Sequence, residues 1–592
     1  MILLICIIKK KKWWVMLRVY RNLFWFFKQE WKKYVVMLLL LILLSFLAIF
    51  PASILGTVID LIASGSMKTH EFWVYVVLLI AFAVIRYVSN YAYHFLINSE
   101  GQQLSYELRK RYLNKLFSLD AKVYEKYTKG ELISRISNDM QHITTAATTL
   151  LQELVYNGSL LIFTIGAMVI TISWRLTLAS VTIMPIAFFI LMRILNHMRK
   201  YYKTHRVIYS AMTEKVLESI EGVKVVRAYV QEDTDYANLR AALIRDIESW
   251  RKIVRFESIF GPLFDFVYSL CYFIAFAYGT YLVINQNISV GNLITFTTYL
   301  SMLYAPIISL SNVFNAVNNA IISNDRYNEI LNEEAEVKDD EHSKHIIDFD
   351  TIEFRNVSFK YPFDKHNVIN NISFTIKKGE TIGIVGPTGA GKSTIIRQLL
   401  REFNVTEGDI YIDGEPIESF KVEDLRNLVG YVPQSHILFR RGVDENILVG
   451  NPDATMEEVQ RAITFADFQK DLPYLSEGLH TIVGESGTTL SGGQKQRLSI
   501  ARAMVKNPEI LILDDSLSAV DAETEATIIR NLKEYRKGKT NIIVAHRFSA
   551  IREADQILVI SEGRIIEKGT HEELLQLNGW YRRQYDKQNM EK

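Results

Sequence analysis

Six long apolar runs in the first half of the chain set the strongest constraint on its fold. Tyr34–Ala63, Phe72–Asn98, Leu154–Trp174, Leu176–Leu195, Ile259–Ile284 and Leu293–Ile322 are mainly apolar, and each has about the 20 residues a helix needs to cross the hydrocarbon core of a bilayer. No single soluble core can absorb them, so they predict a helical membrane domain over 34–325. Several exceed one bilayer thickness and are expected to continue as helix into water. Hydrophobic residues make up 49% of the 592-residue chain and charged residues 22%, an average over two unlike halves. Beyond the membrane domain the composition turns polar, with an acidic, irregular linker over 326–350 and a soluble α/β pattern over 351–592. The net charge of +2 provides no basic field for nucleic acid.

Ahead of the first run, Leu17–Lys33 mixes Phe24, Trp25, Phe26, Phe27 and Trp31 with Arg18, Arg21, Lys28, Lys32 and Lys33. That mixture predicts an elbow helix over 17–33 lying in the membrane interface, aromatics toward lipid and cations at headgroups; a buried amphipathic helix is the blander reading. The tail 1–16 puts an apolar Met1–Ile8 before Lys9–Lys12, the reverse of a signal peptide's order. Met16 is an alternative start. Cys6 and Cys271 suggest neither a disulfide framework nor a metal site.

Lys and Arg placement sets orientation. Ser64–Glu71 carries only Lys68, the third-to-fourth turn carries Arg175, and Asn285–Asn292 carries neither residue type, whereas Ser99–Glu153 and Asn196–Ser258 are rich in both. The two long loops and both termini are therefore expected on the cytoplasmic side.

In the soluble half, Thr351–Phe359 alternates like a strand, and the β-rich Thr381–Val385 opens directly onto Gly386-Pro-Thr388-Gly389-Ala390-Gly391-Lys392-Ser393-Thr394. This is a phosphate-binding loop between strand and helix. Its glycines let backbone N–H groups approach phosphate, Lys392 can neutralise the β- and γ-phosphates, and the Ser393 hydroxyl can reach Mg2+. Ile510–Leu513 is an apolar strand that delivers Asp514 and Asp515 at its end, suited to holding Mg2+. Leu490-Ser491-Gly492-Gly493-Gln494 opens a helix over Lys495–Val505, and such a start offers N–H groups and a positive dipole end to an anion.

That last run is identical to the signature of ATP-binding cassettes, and the remaining pattern resembles the same family. Tyr361 resembles the aromatic that stacks on adenine, Gln434 in Tyr-Val-Pro-Gln the glutamine facing Mg2+, Ser518-Ala-Val-Asp521 the loop that crosses to the partner, and His546 the histidine at the γ-phosphate. Phe117-Ser-Leu-Asp with Tyr124 and Gly130–Asp139 resembles the first cytoplasmic loop of bacterial multidrug exporters, and Glu218–Tyr229 the second; in that family these loops carry short coupling helices. The chain is thus identified as resembling an exporter-type (type IV) ABC half-transporter. The resemblance implies an all-α six-helix transmembrane domain followed by an α/β P-loop NTPase domain. It further implies ATP and Mg2+ as cofactors, ATP hydrolysis coupled to transport in a dimer, and a multi-pass place in a bacterial cytoplasmic membrane. In the family, two cassettes close head-to-tail, each site taking the phosphate loop and acids of one chain and the signature of the other.

One position departs from the pattern. The residue after the Mg2+ acid is ordinarily Glu, the general base; here it is Asp515. With an intact signature beside it, the chain resembles the degenerate-site subunit of two-gene multidrug exporters, whose partner supplies the catalytic Glu. A homodimeric lipid flippase or exporter is the alternative. For substrate, Asp265 in the fifth run shares a helical face with Ser269, Tyr272 and Phe276, and the sixth run offers Tyr299, Met302 and Tyr304. Aromatics around one carboxylate suit small amphipathic cations; a structural pair with a polar group such as Arg86 is the competing reading.

Overall fold

The computed structural model describes residues 19–484, 490–518 and 520–590. The tail 1–16 with Cys6 and Met16, the start of the elbow, and Ala519 in the expected crossing loop lie outside them. The chain divides into two compact units: one runs through Asn114 and includes Ile133–Leu331, the other joins Lys115–Leu132 to Asn332–Lys592. Sequence patterning assigns 115–132 to the membrane domain and begins the linker at 326. The helix Tyr304–Leu331 runs five residues further than that start, and the loop segment clusters with the soluble half.

The first unit is helical. Among the described residues, four stretches are long and apolar enough to cross a membrane: Trp31–Ala63, Thr69–Phe117, Lys129–Ile172 and Glu232–Ile284. The other two apolar runs fall on Trp174–Val181 with Ile183–Glu221, and on Val290–Met302 with Tyr304–Leu331. At 1.5 Å per residue the 49-residue helix Thr69–Phe117 is about 74 Å long, far beyond one bilayer. The elbow differs from expectation in one respect. Val19, Leu23 and Phe26 are buried in protein, while Phe24 and Trp31 are exposed, so only part of its aromatic set is free to face lipid. Arg111 lies over the Trp25 ring at 3.3 Å.

Glycine allows the helices Phe50–Ala63 and Val290–Met302 to approach closely. A Cβ on Gly291 would meet the Gly56 carbonyl oxygen at 2.0 Å. Asp60 then accepts from the Gly291 N–H at 2.7 Å, a carboxylate at a helix N-terminus. Gly130–Asp139 has a packing role as well. Buried Arg135 donates to the Arg326 carbonyl at 2.7 Å and pairs with Glu329 at 3.0 Å. Buried Asp139 accepts from Ser323 at 2.8 Å.

The second unit is built on two sheets. β1 (Thr351–Phe359), β2 (Ile369–Lys377), β4 (Glu407–Ile412) and β5 (Glu415–Pro416) form an antiparallel sheet in the order β2-β1-β4-β5. β3 (Thr381–Val385), β6 (Val429–Val432), β7 (Ile510–Asp514), β8 (Thr540–Val544), β9 (Gln556–Ser561) and β10 (Arg564–Gly569) form the other, ordered β10-β9-β3-β8-β7-β6 and parallel except at β10. β7 is buried along its whole length, as a strand covered on both faces must be. Its alternate residues serve two cores: Ile510 and Ile512 join one, Leu511 and Leu513 the other.

Candidate functional site

Strand order builds the site. β3, β8, β7 and β6 are consecutive parallel neighbours in register, with Val544 opposite both Ile384 and Asp514. Their carboxyl ends therefore emerge side by side, the crevice where open α/β sheets bind ligands. The phosphate loop leaves β3, Gln434 follows β6, Asp514 ends β7 with Asp515 directly after it, and His546 follows β8.

The loop needs glycine at two of its turns. Gly386 has φ of 152°, and a Cβ there would meet the Ile560 carbonyl oxygen at 2.0 Å; Gly391 has φ of 98°, and a Cβ there would stand 2.8 Å from the Val368 carbonyl oxygen. Gly391 opens the helix Lys392–Leu399. Buried Lys392 donates to the carbonyl oxygens of Gly386 at 2.8 Å and Pro387 at 3.0 Å. Two of its three ammonium protons are thus placed, leaving one for an anion. Burial lowers the Lys392 pKa, against the opposing pull of Asp515 and Asp514.

Ser393 donates to Asp514 Oδ1 at 3.0 Å. Asp514 is 2% exposed, and burial raises its carboxyl above the usual range. A buried carboxylate beside a hydroxyl is a donor set of hard oxygens, which fits Mg2+ shared with phosphate oxygens. Asp515 sits at φ 49°, a left-handed conformation that Asp tolerates better than most residues. Its N–H donates to the Val544 carbonyl at 2.9 Å, and Gln434 Nε2 donates to its Oδ2 at 3.2 Å. His546 and Asp515 line one small cavity with Ser516 and Ser518. The expected residues around Gly386–Thr394, Gln434, Asp514, Asp515 and His546 therefore come together.

Tyr361 packs edge-on to Phe359 and Phe403 at 5.0 and 5.4 Å, and its hydroxyl lies 3.1 Å from Thr394 Oγ1. Sequence reasoning does not find Phe403, or Arg397 bonded to the same hydroxyl. The only signal for Arg397 is its i+3 spacing from Thr394 on the loop's own helix.

The signature run stands apart in its bonding. Ser491 caps the helix Gly492–Met504: its Oγ accepts from the Gln494 N–H at 3.3 Å, and Gln494 Oε1 accepts from the Ser491 N–H at 2.9 Å. This is a reciprocal capping box. Behind it Arg497 holds buried Asp471 through two bonds of 2.7 and 2.8 Å, and Gln494 Nε2 reaches Asp471 at 3.3 Å. Ser491 and Gly492 are exposed, and neither bonds to the phosphate loop among the described residues.

The expected substrate face is only partly assembled. Tyr272 and Phe276 line an open cavity of about 590 Å³ with Tyr268, Ser269 and Phe273. Tyr299 turns the other way: it is 1% exposed, within the helix core beside Cys271 and Phe296, because its position on Val290–Met302 faces Phe50–Ala63. Asp265 accepts from the Tyr304 hydroxyl at 2.9 Å, the role considered for Arg86. Arg86 instead lines a separate cavity of about 630 Å³ with Leu44, Phe82, Asn90 and Tyr156.

Comparison with known proteins places these features. The family model of the ABC transporter transmembrane region matches residues 34–307, and a second model, described as ABC transporter, matches 369–518. The chain is 40% identical to the probable multidrug resistance ABC transporter ATP-binding/permease protein YheI of Bacillus subtilis, covering 91% of this chain and 92% of that one. It is 32% identical to the multidrug resistance-like ATP-binding protein MdlA of Escherichia coli, over 93% of each. It is 33% identical to an ATP-dependent lipid A-core flippase of Pseudomonas fluorescens, covering 86% of this chain and 84% of that one. Among solved structures, a bacterial Atm1-family ABC exporter with ATP bound superposes with a TM-score of 0.79 at 26% identity, covering 94% of this chain and 99% of that one.

Proposed function

The chain belongs to the ABC transporter family, as an exporter whose ATPase domain is coupled to transport, and on that premise we propose that it is one half of a heterodimeric exporter of amphipathic drugs or lipid-like compounds. Its own ATP site holds nucleotide and hydrolyses it slowly, and its signature completes the partner's catalytic site. The observation that carries this reading is Asp515. An aspartate is one methylene shorter than glutamate, which retracts the carboxylate by roughly one C–C bond length, and a misplacement of about 1 Å can cost on the order of a hundredfold in rate. The Gln434 amide on Oδ2 holds that short carboxylate in place.

In this reading the loop N–H groups of Thr388–Gly391 and the free proton of Lys392 bind phosphate, while the Tyr361 ring stacks on adenine. Ser393, Gln434 and Asp514 would hold Mg2+, which when bound would supply positive charge against the phosphate oxygens. Asp515 orients water and accepts its proton, and His546 holds the γ-phosphate. Ser491, Gly492, Gly493 and Gln494 act across the dimer on the partner's nucleotide, which agrees with the exposure of Ser491 and its lack of a bond to this chain's own loop. The names of relatives as multidrug transporters and as a lipid A-core flippase keep both drugs and lipids in the substrate class. The open aromatic cavity around Tyr272 and Phe276, with Asp265 on the same helix, favours amphipathic cations. Six spans with cytoplasmic termini complete the proposal.

The experiment is purification of the tagged chain from its native membrane. A second cassette subunit bearing Glu after its Mg2+ acid, at equal stoichiometry, is the expected result. A pure homodimer with full ATPase activity would overturn the heterodimer reading.

A further inference from the structure

The hydroxyl of Tyr361 is a node. Besides Thr394, it accepts from Arg397 Nη1 at 3.1 Å. Thr394 and Arg397 are three apart on the phosphate-loop helix and so share a face. The Arg397 guanidinium also donates through Nη1 to Glu125 at 2.8 Å and through Nε to Glu402 at 2.7 Å, and lies over the Phe403 ring at 4.9 Å. Glu125 comes from far away in sequence. It sits on the short helix Ala121–Lys126, within the loop segment Lys115–Leu132 that clusters with the soluble half.

That segment is tied down along its length. Asp120 accepts from the Val337 N–H at 3.1 Å, Tyr127 donates to Glu333 at 3.0 Å, and Lys122 and Lys126 pair with Glu336 and Glu333. Ala121 packs on the same core as Tyr361. Of these ties, Glu125–Arg397 is the one that reaches the phosphate-loop helix. In the chain the segment begins in the last turn of the helix Thr69–Phe117.

We propose that Arg397 is a positioning residue that registers the Tyr361 ring against Glu125, so that nucleotide on Tyr361 and seating of the first-loop segment favour one another. The physical basis is that a stacking ring must have its plane set before the base arrives. Two hydrogen bonds to the Tyr361 hydroxyl set it, and one of them comes from a cation shared between two carboxylates. Without Glu125, Glu402 is the carboxylate that remains on Arg397, through Nε, and the Nη1 end that reaches the hydroxyl loses its ionic anchor. Linkage is reciprocal: whatever the seated segment adds to nucleotide affinity, nucleotide adds to the seating. The inference rests on the proposed stacking role of Tyr361.

The test uses the full-length protein with its co-purified partner in lipid nanodiscs, labelling this chain with an azido-ATP photoprobe across a concentration series. Tyr361→Phe keeps the ring and removes the node; with Arg397→Gln it is expected to weaken labelling about fivefold, in the range of a charge-assisted hydrogen bond screened by partial exposure. Glu125→Gln is expected to weaken labelling about threefold, and the Arg397→Gln/Glu125→Gln pair to be no weaker than Arg397→Gln alone, the non-additivity of one network. Glu125→Asp should restore most of the loss. Thermal unfolding of each variant is followed in parallel, because a merely structural tie would lower the melting point and leave nucleotide affinity unmoved. Wild-type labelling in Glu125→Gln, or full additivity in the pair, overturns the proposal. Tyr361→Ala separates the underlying reading: if it labels normally, stacking on Tyr361 is wrong, whereas loss in Tyr361→Ala with a silent Glu125→Gln defeats the relay alone.

Discussion

Replacing Asp515 by Asn tests the asymmetry of the two ATP sites most directly. If the shortened carboxylate slows this chain's own site about a hundredfold, that site supplies on the order of 1% of the turnover of the assembly. Asp515→Asn should then leave steady-state ATPase close to that of the parent. Ser491 is expected to behave oppositely, since loss of a donor aimed at the reacting phosphate in the partner's site commonly costs about 10²–10³ in rate, or roughly 2.7–4 kcal/mol of barrier. The structure imposes a control. Ser491 Oγ also caps the helix Gly492–Met504, and Ser→Ala at a cap costs about 1 kcal/mol of stability, whereas Ser→Gly costs a few tenths. Ser491→Gly therefore removes the donor while sparing most of the cap. Asp515→Glu should raise hydrolysis at this chain's site, offset in part by forcing a residue less tolerant of φ 49° into a conformation that costs roughly 1–2 kcal/mol. The assay is phosphate release by the purified assembly, with trapped nucleotide counted per dimer. If Asp515→Asn abolished turnover as fully as Ser491→Gly, both sites would be catalytic and the reasoning from the short carboxylate would fail.

Other perturbations reach the remaining parts of the proposal. Cysteines placed at Ser66 and Gln286 should react with an impermeant maleimide on intact cells, and one at Glu341 should not; labelling at Glu341 would reverse the orientation. Asp265→Asn retains an oxygen to accept the Tyr304 bond and loses the charge, so it should impair export of cationic dyes while sparing neutral ones and protein yield; equal loss of both would make Asp265 structural. Burial lowers the pKa of His571, which bonds Tyr581 at 2.8 Å through Nδ1. The folded state then binds fewer protons than the unfolded one near pH 6, so the stability it contributes is present above the ordinary histidine value of 6.5 and lost as pH falls below it. The melting temperature of the motor half should fall between pH 7.5 and 5.5, with a shallower fall in His571→Gln.

Much of this protein is legible from sequence because its patterns act over one helical turn or one pleat. Thr351–Phe359 and Thr381–Val385 alternate or run apolar as strands and are strands over those same residues. The phosphate loop has to leave a strand and enter a helix, because its glycines adopt φ values closed to other residues. Apolar length alone marks the membrane half. Tertiary structure decided the rest, since the partner of a side chain depends on strand order and on which helix faces pack, and neither is encoded by spacing. Gln434, Asp515 and His546 lie about eighty and thirty residues apart in sequence, and only the order β3-β8-β7-β6 brings them to one crevice. Tyr299 and Tyr272 carry the same aromatic signal, yet helix packing buries one in the core and leaves the other on an open cavity. Glu125 reads as one acid among many in a charged loop. It meets Arg397, 272 positions away, because Lys115–Leu132 folds with the soluble half, and a contact of that range is selected by burial and charge pairing in the finished fold.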